Sequence, residues 1–158
     1  MKIGVFIRKG LLRYYEKLIK NYPILGIEDP ISEDDWEGWK MANGRLPMAN
    51  FLIIGDDLTV TNPKRIKEAC KRKSCNAMIV KINQVGTVSE AIKATKLARS
   101  FNWKVIVSHR SGETTDSFIS DFAVGIGAEF IKAGAPAKKE RTAKYNRLVR
   151  IEEELHKN

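Results

Sequence analysis

Cysteine and histidine are scarce in this sequence, and that scarcity closes off whole classes of chemistry. The 158 residues hold two of each. Cys70 and Cys75 stand in EACKRKSC, a spacing that fits no usual metal-ligand pattern, and no further Cys or His pair completes one. They read as reduced thiols near the end of a helix. No apolar run approaches the ~20 residues that a bilayer span needs. The opening MKIGVFIRKG is too short and too charged for a secretory signal. A cytoplasmic protein with no membrane association is therefore expected. A glycine-rich phosphate loop is also missing. The first turn reads IRKGLLRYY, without the spaced glycines of a dinucleotide-binding fold. With no low-complexity linker and no break in composition, residues 1–158 are expected to form one domain.

What is present suits a folded core: 43% of residues are hydrophobic and 30% charged. The formal net charge of +9 favours anionic partners in general. The Lys and Arg residues are spread over helical stretches, however, with no basic stripe interleaved with aromatics. Nucleic acid is therefore not the expected partner.

Short apolar runs alternate with longer stretches of helical spacing. Strands are expected at Ile3–Ile7, Ile24–Glu28, Phe51–Gly55, Ala77–Ile82, Val105–Ser108 and Phe130–Lys132. They are rich in Ile and Val and almost continuously apolar, as buried parallel strands are. Between them, Leu11, Leu12, Tyr15, Leu18 and Ile19 form one helical face. Asn62 and Pro63 open a second helix as N-cap and first residue. Thr87 and Glu90 open a third as a capping box. DSFISDFAVGIG reads as a shorter helix, and Tyr145, Leu148, Ile151 and Leu155 stripe a final one from about Lys138. This alternation means an α/β fold with a parallel sheet, either doubly wound or part of a (β/α) barrel. Polar residues sit at successive strand ends, which is how barrels build sites, and this favours the barrel.

Those strand ends form a chemically coherent set. Glu28 and Asp56 offer the carboxylate oxygens that suit Mg²⁺. Lys81 and Lys132 each end an apolar strand, where desolvation lowers a lysine's hold on its charge and fits it for general-base work. Arg110 and Ser111, beside Gly112 and near a helix start, make a phosphate cradle. Together they suggest proton abstraction next to a carboxylate on a phosphorylated small acid. Each has a plainer reading on its own: the acids as turn or cap residues, the lysines as chains reaching for solvent, His109 as a structural hydrogen-bonding group.

The stretches YPILGIEDPISEDDWEGW, GDDLTVTNPKRI, KINQVGTVSEAI, VSHRSGETTDSFISDFAVG and IKAGAPAKKERTAKYNRLVRIEEEL closely resemble the C-terminal domain of enolase, the glycolytic phosphopyruvate hydratase. The likeness runs from about Leu12 to Leu155. It implies a partial TIM-type barrel of six parallel βα units, lacking the N-terminal α+β domain and the first barrel elements. It implies Glu28 and Asp56 as Mg²⁺ ligands and Lys81 as the base that takes the C2 proton of 2-phosphoglycerate. Lys132 would help stabilise the enolate, and His109, Arg110, Ser111 and Lys132 would hold substrate. If KIGVFIRKG aligns with the family's IGMD-like strand, Phe6 stands where the family has its first ligand aspartate; on either alignment residues 1–10 contain no Asp or Glu. A weakened Mg²⁺ site is expected, with weak or absent activity alone, because the family's acid residues and lids lie outside the matched part. Open barrel edges and an exposed apolar interior point to a homo-oligomer. A competing reading is a non-catalytic binding or regulatory protein that offers Lys64, Arg65, Lys67, Lys71, Arg72 and Lys73 to nucleic acid or a protein.

Overall fold

The computed structural model describes residues 8–46 and 50–157. The strand expected over Ile3–Ile7, and Phe6 with it, lies outside the described residues.

The chain alternates as the sequence pattern predicts. Helix α1 (Arg8–Asn21) precedes strand β1 (Gly26–Glu28), helix α2 (Trp36–Arg45) and strand β2 (Leu52–Gly55). Helix α3 (Pro63–Lys71) leads to β3 (Ala77–Val80), the one-turn helix α4 (Ile82–Val85) and α5 (Val88–Ser100). Strand β4 (Lys104–Ser108), helix α6 (Phe118–Gly125), strand β5 (Phe130–Lys132) and helix α7 (Lys139–Leu155) complete it. The two predicted caps are in place. Asn62 accepts a hydrogen bond from the Lys64 N–H, and Thr87 accepts one from the Glu90 N–H.

Helix α2 is not announced by any apolar period. It carries Gly38 and Gly44 and begins on Asp35, whose side chain accepts the Gly38 N–H at 2.9 Å. What holds it is Trp39, fully buried, with its indole N–H on the Ser32 carbonyl at 3.0 Å. The strand expected over Ala77–Ile82 stops at Val80, because Lys81 turns the chain into α4 as its N-cap.

The five strands are all parallel and lie in sequence order, β1-β2-β3-β4-β5. A doubly wound sheet reverses its strand order, and this one does not. Side chains alternate between the faces. Ile53, Met78, Val80, Val105 and Val107 join the large core, together with helix residues such as Leu12, Ile66, Ala94 and Phe122. Leu52, Ala77, Ile79 and Ile106 form a small second cluster without helix residues. Helices therefore cover one face, as in a barrel wall.

The sheet is strongly curled. Laid flat, β1 and β5 would lie about 19 Å apart, four spacings of ~4.8 Å. Yet Lys132 Nζ at the end of β5 lies 2.5 and 2.7 Å from the carboxylate oxygens of Glu28 at the end of β1. Bent through half a circle, the same arc has a chord of about 12 Å, which a lysine and a glutamate together can bridge. The fold is a half-barrel. Its inner face departs from expectation: Leu52, Ala77, Ile79 and Ile106 are buried rather than exposed.

Candidate active site

Every strand-end residue singled out in the sequence stands at the C-terminal rim of the half-barrel. Glu28 and Lys132 are the last residues of β1 and β5; Asp56 and Lys81 directly follow β2 and β3. His109, Arg110 and Ser111 directly follow β4. A pocket of about 460 Å³ opens there, lined by Asp57, Lys81, Ser108, His109, Arg110, Ser111, Lys132 and Arg141.

Acid and base meet in two pairs across this rim. The Lys81 ammonium contacts Asp56 Oδ2, both side chains being largely buried, and Lys132 grips both oxygens of Glu28. The expected ligands are thus ion-paired to the expected catalytic lysines. Asp56 Oδ1 is buried without a hydrogen-bond partner, an uncommon state for a carboxylate oxygen. The closest acidic cluster is Asp29, Asp56 and Asp57, each offering an oxygen within 4.8 Å of the others. Glu28 is not part of that cluster. Asp29 is already engaged, because its two oxygens accept the backbone N–H groups of Asp56 and Asp57, each at 2.9 Å. Burial raises the Asp29 carboxyl above its ordinary value, although those two N–H groups pull it down.

Lys81 is set by the loop after β2. Val60 and Thr61 there adopt positive φ, 41° and 54°, costly for β-branched residues and the kind of strain found where geometry matters. The fully buried Thr61 hydroxyl accepts the Lys81 N–H at 3.0 Å and donates to Gln84 Oε1 at 2.9 Å.

The segment after β4 precedes a helix, as the sequence suggested, but is not part of its first turn. Helix α6 begins at Phe118, so Arg110 and Ser111 sit on an intervening loop, and α7 holds that loop instead. The Arg141 guanidinium faces His109 Nδ1 and donates to the Arg110 carbonyl at 3.2 Å. A guanidinium can only donate, so His109 Nδ1 accepts and the neutral ring carries its proton on Nε2. Burial, and then the Arg141 charge, keep the imidazole below its ordinary pKa.

Residues 4–158 match the family model described as enolase, C-terminal TIM barrel domain. The chain belongs to the enolase family. A curated relative, the enolase of Mastigamoeba balamuthi, is 55% identical over 150 residues, which cover 95% of this chain and 34% of the relative. The chain thus spans about a third of the length of that enolase.

Within this enolase-type half-barrel, two residues go beyond the sequence reading: Arg141 and Lys144. Lys144 is buried, with its ammonium on Glu113 Oε2 at 2.5 Å. It did leave a signal. Lys144, Leu148, Ile151 and Leu155 recur at the spacing of one helical face, so a lysine holds an apolar position. The basic residues around α3 are, by contrast, partly consumed by the fold. Arg65 donates to the Glu33 and Leu58 carbonyls, and Arg72 pairs with Glu68. Both guanidinium groups also lie over Trp36, 5.3 and 5.2 Å from the ring centroid. A free basic face for nucleic acid finds no support there.

Proposed function

We propose that this chain carries part of the active site for interconverting 2-phosphoglycerate and phosphoenolpyruvate, within a single domain of a cytoplasmic, self-associating protein. The observation that carries this reading is the convergence of Lys81, Lys132, His109, Arg110 and Ser111 on one pocket at the barrel rim. Lys81 takes the proton from C2 of the substrate as the neutral amine, after its ammonium has lost its own proton to solvent. Its pairing with Asp56 in the free site keeps the ammonium buried until a ligand rearranges the pair. Lys132 stands where negative charge grows on the substrate carboxylate. A positioned cation in a partly dry site is worth most there. His109, Arg110 and Ser111 hold the substrate, with Arg110 and Ser111 at the phosphate.

Mg²⁺ fits these residues in kind, since hard oxygen donors are what it takes. The unpartnered, buried Asp56 Oδ1 would be one ligand, and Glu28, now paired to Lys132, would be the other. When bound, the ion neutralises carboxylate charge on the substrate. With both ligand carboxylates already ion-paired to lysines, the site is a weak one.

Calorimetry with Mg²⁺ and phosphoenolpyruvate tests the reading. Binding is expected, and its loss in Arg110→Ala. Silence with the unmodified chain overturns it. For these 158 residues by themselves, turnover is expected at least about 10²-fold below that of a whole enolase, because a general acid alone is worth that much and water exclusion adds to it. Turnover at an ordinary enolase rate would refute that part.

A further inference from the structure

The loop bearing His109, Arg110 and Ser111 has no regular structure, and Arg110 and Ser111 are exposed. A loop of that kind samples many backbone states unless something fixes it. The fixing element is α7. Lys144 on that helix has a side chain only 1% exposed, and a lysine so deep needs partners for all its charge. Its ammonium has three: Glu113 Oε2 at 2.5 Å, the Thr114 carbonyl at 2.7 Å and the Glu140 carbonyl at 2.8 Å. The Lys144 main-chain carbonyl in turn accepts the buried Ser120 hydroxyl at 2.8 Å, tying α7 to α6. Glu113 then uses its other oxygen, Oε1, to accept the Arg110 N–H at 3.0 Å. The pull of Lys144 and of this N–H, set against burial, leaves the Glu113 carboxyl below its ordinary pKa. One turn earlier, Arg141 donates to the Arg110 carbonyl. Both peptide groups that flank Arg110 are therefore held from α7, one through a buried ion pair.

We propose that Lys144 and Glu113 are a positioning pair that fixes the backbone at Arg110 and Ser111 for a phosphate dianion. The proposal rests on the reading of those two residues as the phosphate contacts. A preorganised loop spares the ordering cost on binding. Neither residue of the pair lines the pocket, so its effect on a ligand passes through Arg110.

The test uses Lys144→Met, Glu113→Ala and the double variant of the 158-residue chain. Two readouts are taken: amide hydrogen exchange, and calorimetry with inorganic phosphate. The Arg110 amide is expected to exchange about tenfold faster or more in each folded variant, with β3 unchanged, and phosphate affinity to fall by about tenfold, the scale of one lost charged hydrogen bond. The double variant should fall no further than either single one, because the pair acts as one chain. Lys144→Met leaves Glu113 and two carbonyls without their buried donor and can loosen the whole fold. Glu113→Ala, on the loop itself, then carries the test. Unchanged exchange at Arg110 overturns the clamp, as does faster exchange with unchanged phosphate affinity. Faster exchange everywhere in both variants also overturns it, in favour of a merely structural role. No phosphate binding by the unmodified chain overturns the phosphate reading, and with it the ligand half of the proposal. That outcome is separable, because the exchange measurement needs no ligand.

Discussion

Asp29 shows how much of the site is held by a residue that does not line the pocket. Its carboxylate accepts two successive backbone N–H groups, those of Asp56 and Asp57, while its own backbone sits at φ 42°. Asp tolerates that conformation better than most residues. Asp29→Ala leaves two N–H groups without their acceptor and a less tolerant residue in the same backbone. A loss of about 1–3 kcal/mol in unfolding free energy is expected, measured by urea denaturation. A change within about 0.5 kcal/mol, the usual range for a surface substitution, would show that the acceptor role is dispensable. The strand-end residues were legible in the sequence because a charge that ends an apolar run stands out. The acceptor role of Asp29 was not, since in IEDP it reads as one more strand-end acid and its partners lie 27 and 28 positions away. Arg141 was hidden for the same reason: its contacts to His109 and Arg110 cross 32 and 31 residues. Lys144 was legible in principle, as the polar member of an apolar stripe.

Among the elements, β1 carries the most with the least. It has three residues and one strand neighbour among the described residues, yet it presents Glu28 to the rim. Gly26 lets it approach β2 closely: a Cβ there would lie 2.6 Å from Leu52 Cβ and 2.7 Å from the Leu52 carbonyl oxygen. Backbone and Cβ atoms cannot swing aside as a side-chain tip can. Gly26→Ala should therefore push β1 off β2 and cost about 1–3 kcal/mol, as overpacking does. Chemical denaturation reads the loss, and exchange of the β1 amides should rise ahead of those in β3. Uniform loosening would contradict this assignment to one element. Capped helices were the most legible elements: Asn62-Pro63 and Thr87-x-x-Glu90 satisfy orphan N–H groups by local chemistry alone. Helix α2 was not legible, because a tertiary anchor, Trp39 against the core, overrides two glycines. The end of β3 was misplaced by two residues. Ile82 continues the apolar run in sequence, but Lys81 has already turned the backbone.

For the whole molecule, the parallel α/β pattern was legible from alternation, and the barrel from the polar strand ends. The curl and its closure by Glu28 and Lys132 were not, since that contact spans 104 positions. The curl also changes how self-association should be argued. The inner face was expected to be open and apolar, yet its Leu52, Ala77, Ile79 and Ile106 are buried. Among the described residues, what remains open is at the sheet edges. Neither the outer edge of β1 nor that of β5 has a strand partner among the described residues. Exposed edges present unpaired N–H and C=O groups that recruit other strands. Phe130 on β5 is 40% exposed, and Leu25 just before β1 is 56% exposed, so apolar surface accompanies both edges. The 158-residue chain by itself is therefore expected to form a dimer or larger assembly through those edges. Light scattering at micromolar concentration should show it, and Phe130→Lys should shift it toward monomer, because edge charges block strand addition. A monodisperse monomer in the unmodified chain would refute self-association. An assembly indifferent to Phe130→Lys would place the contact away from β5.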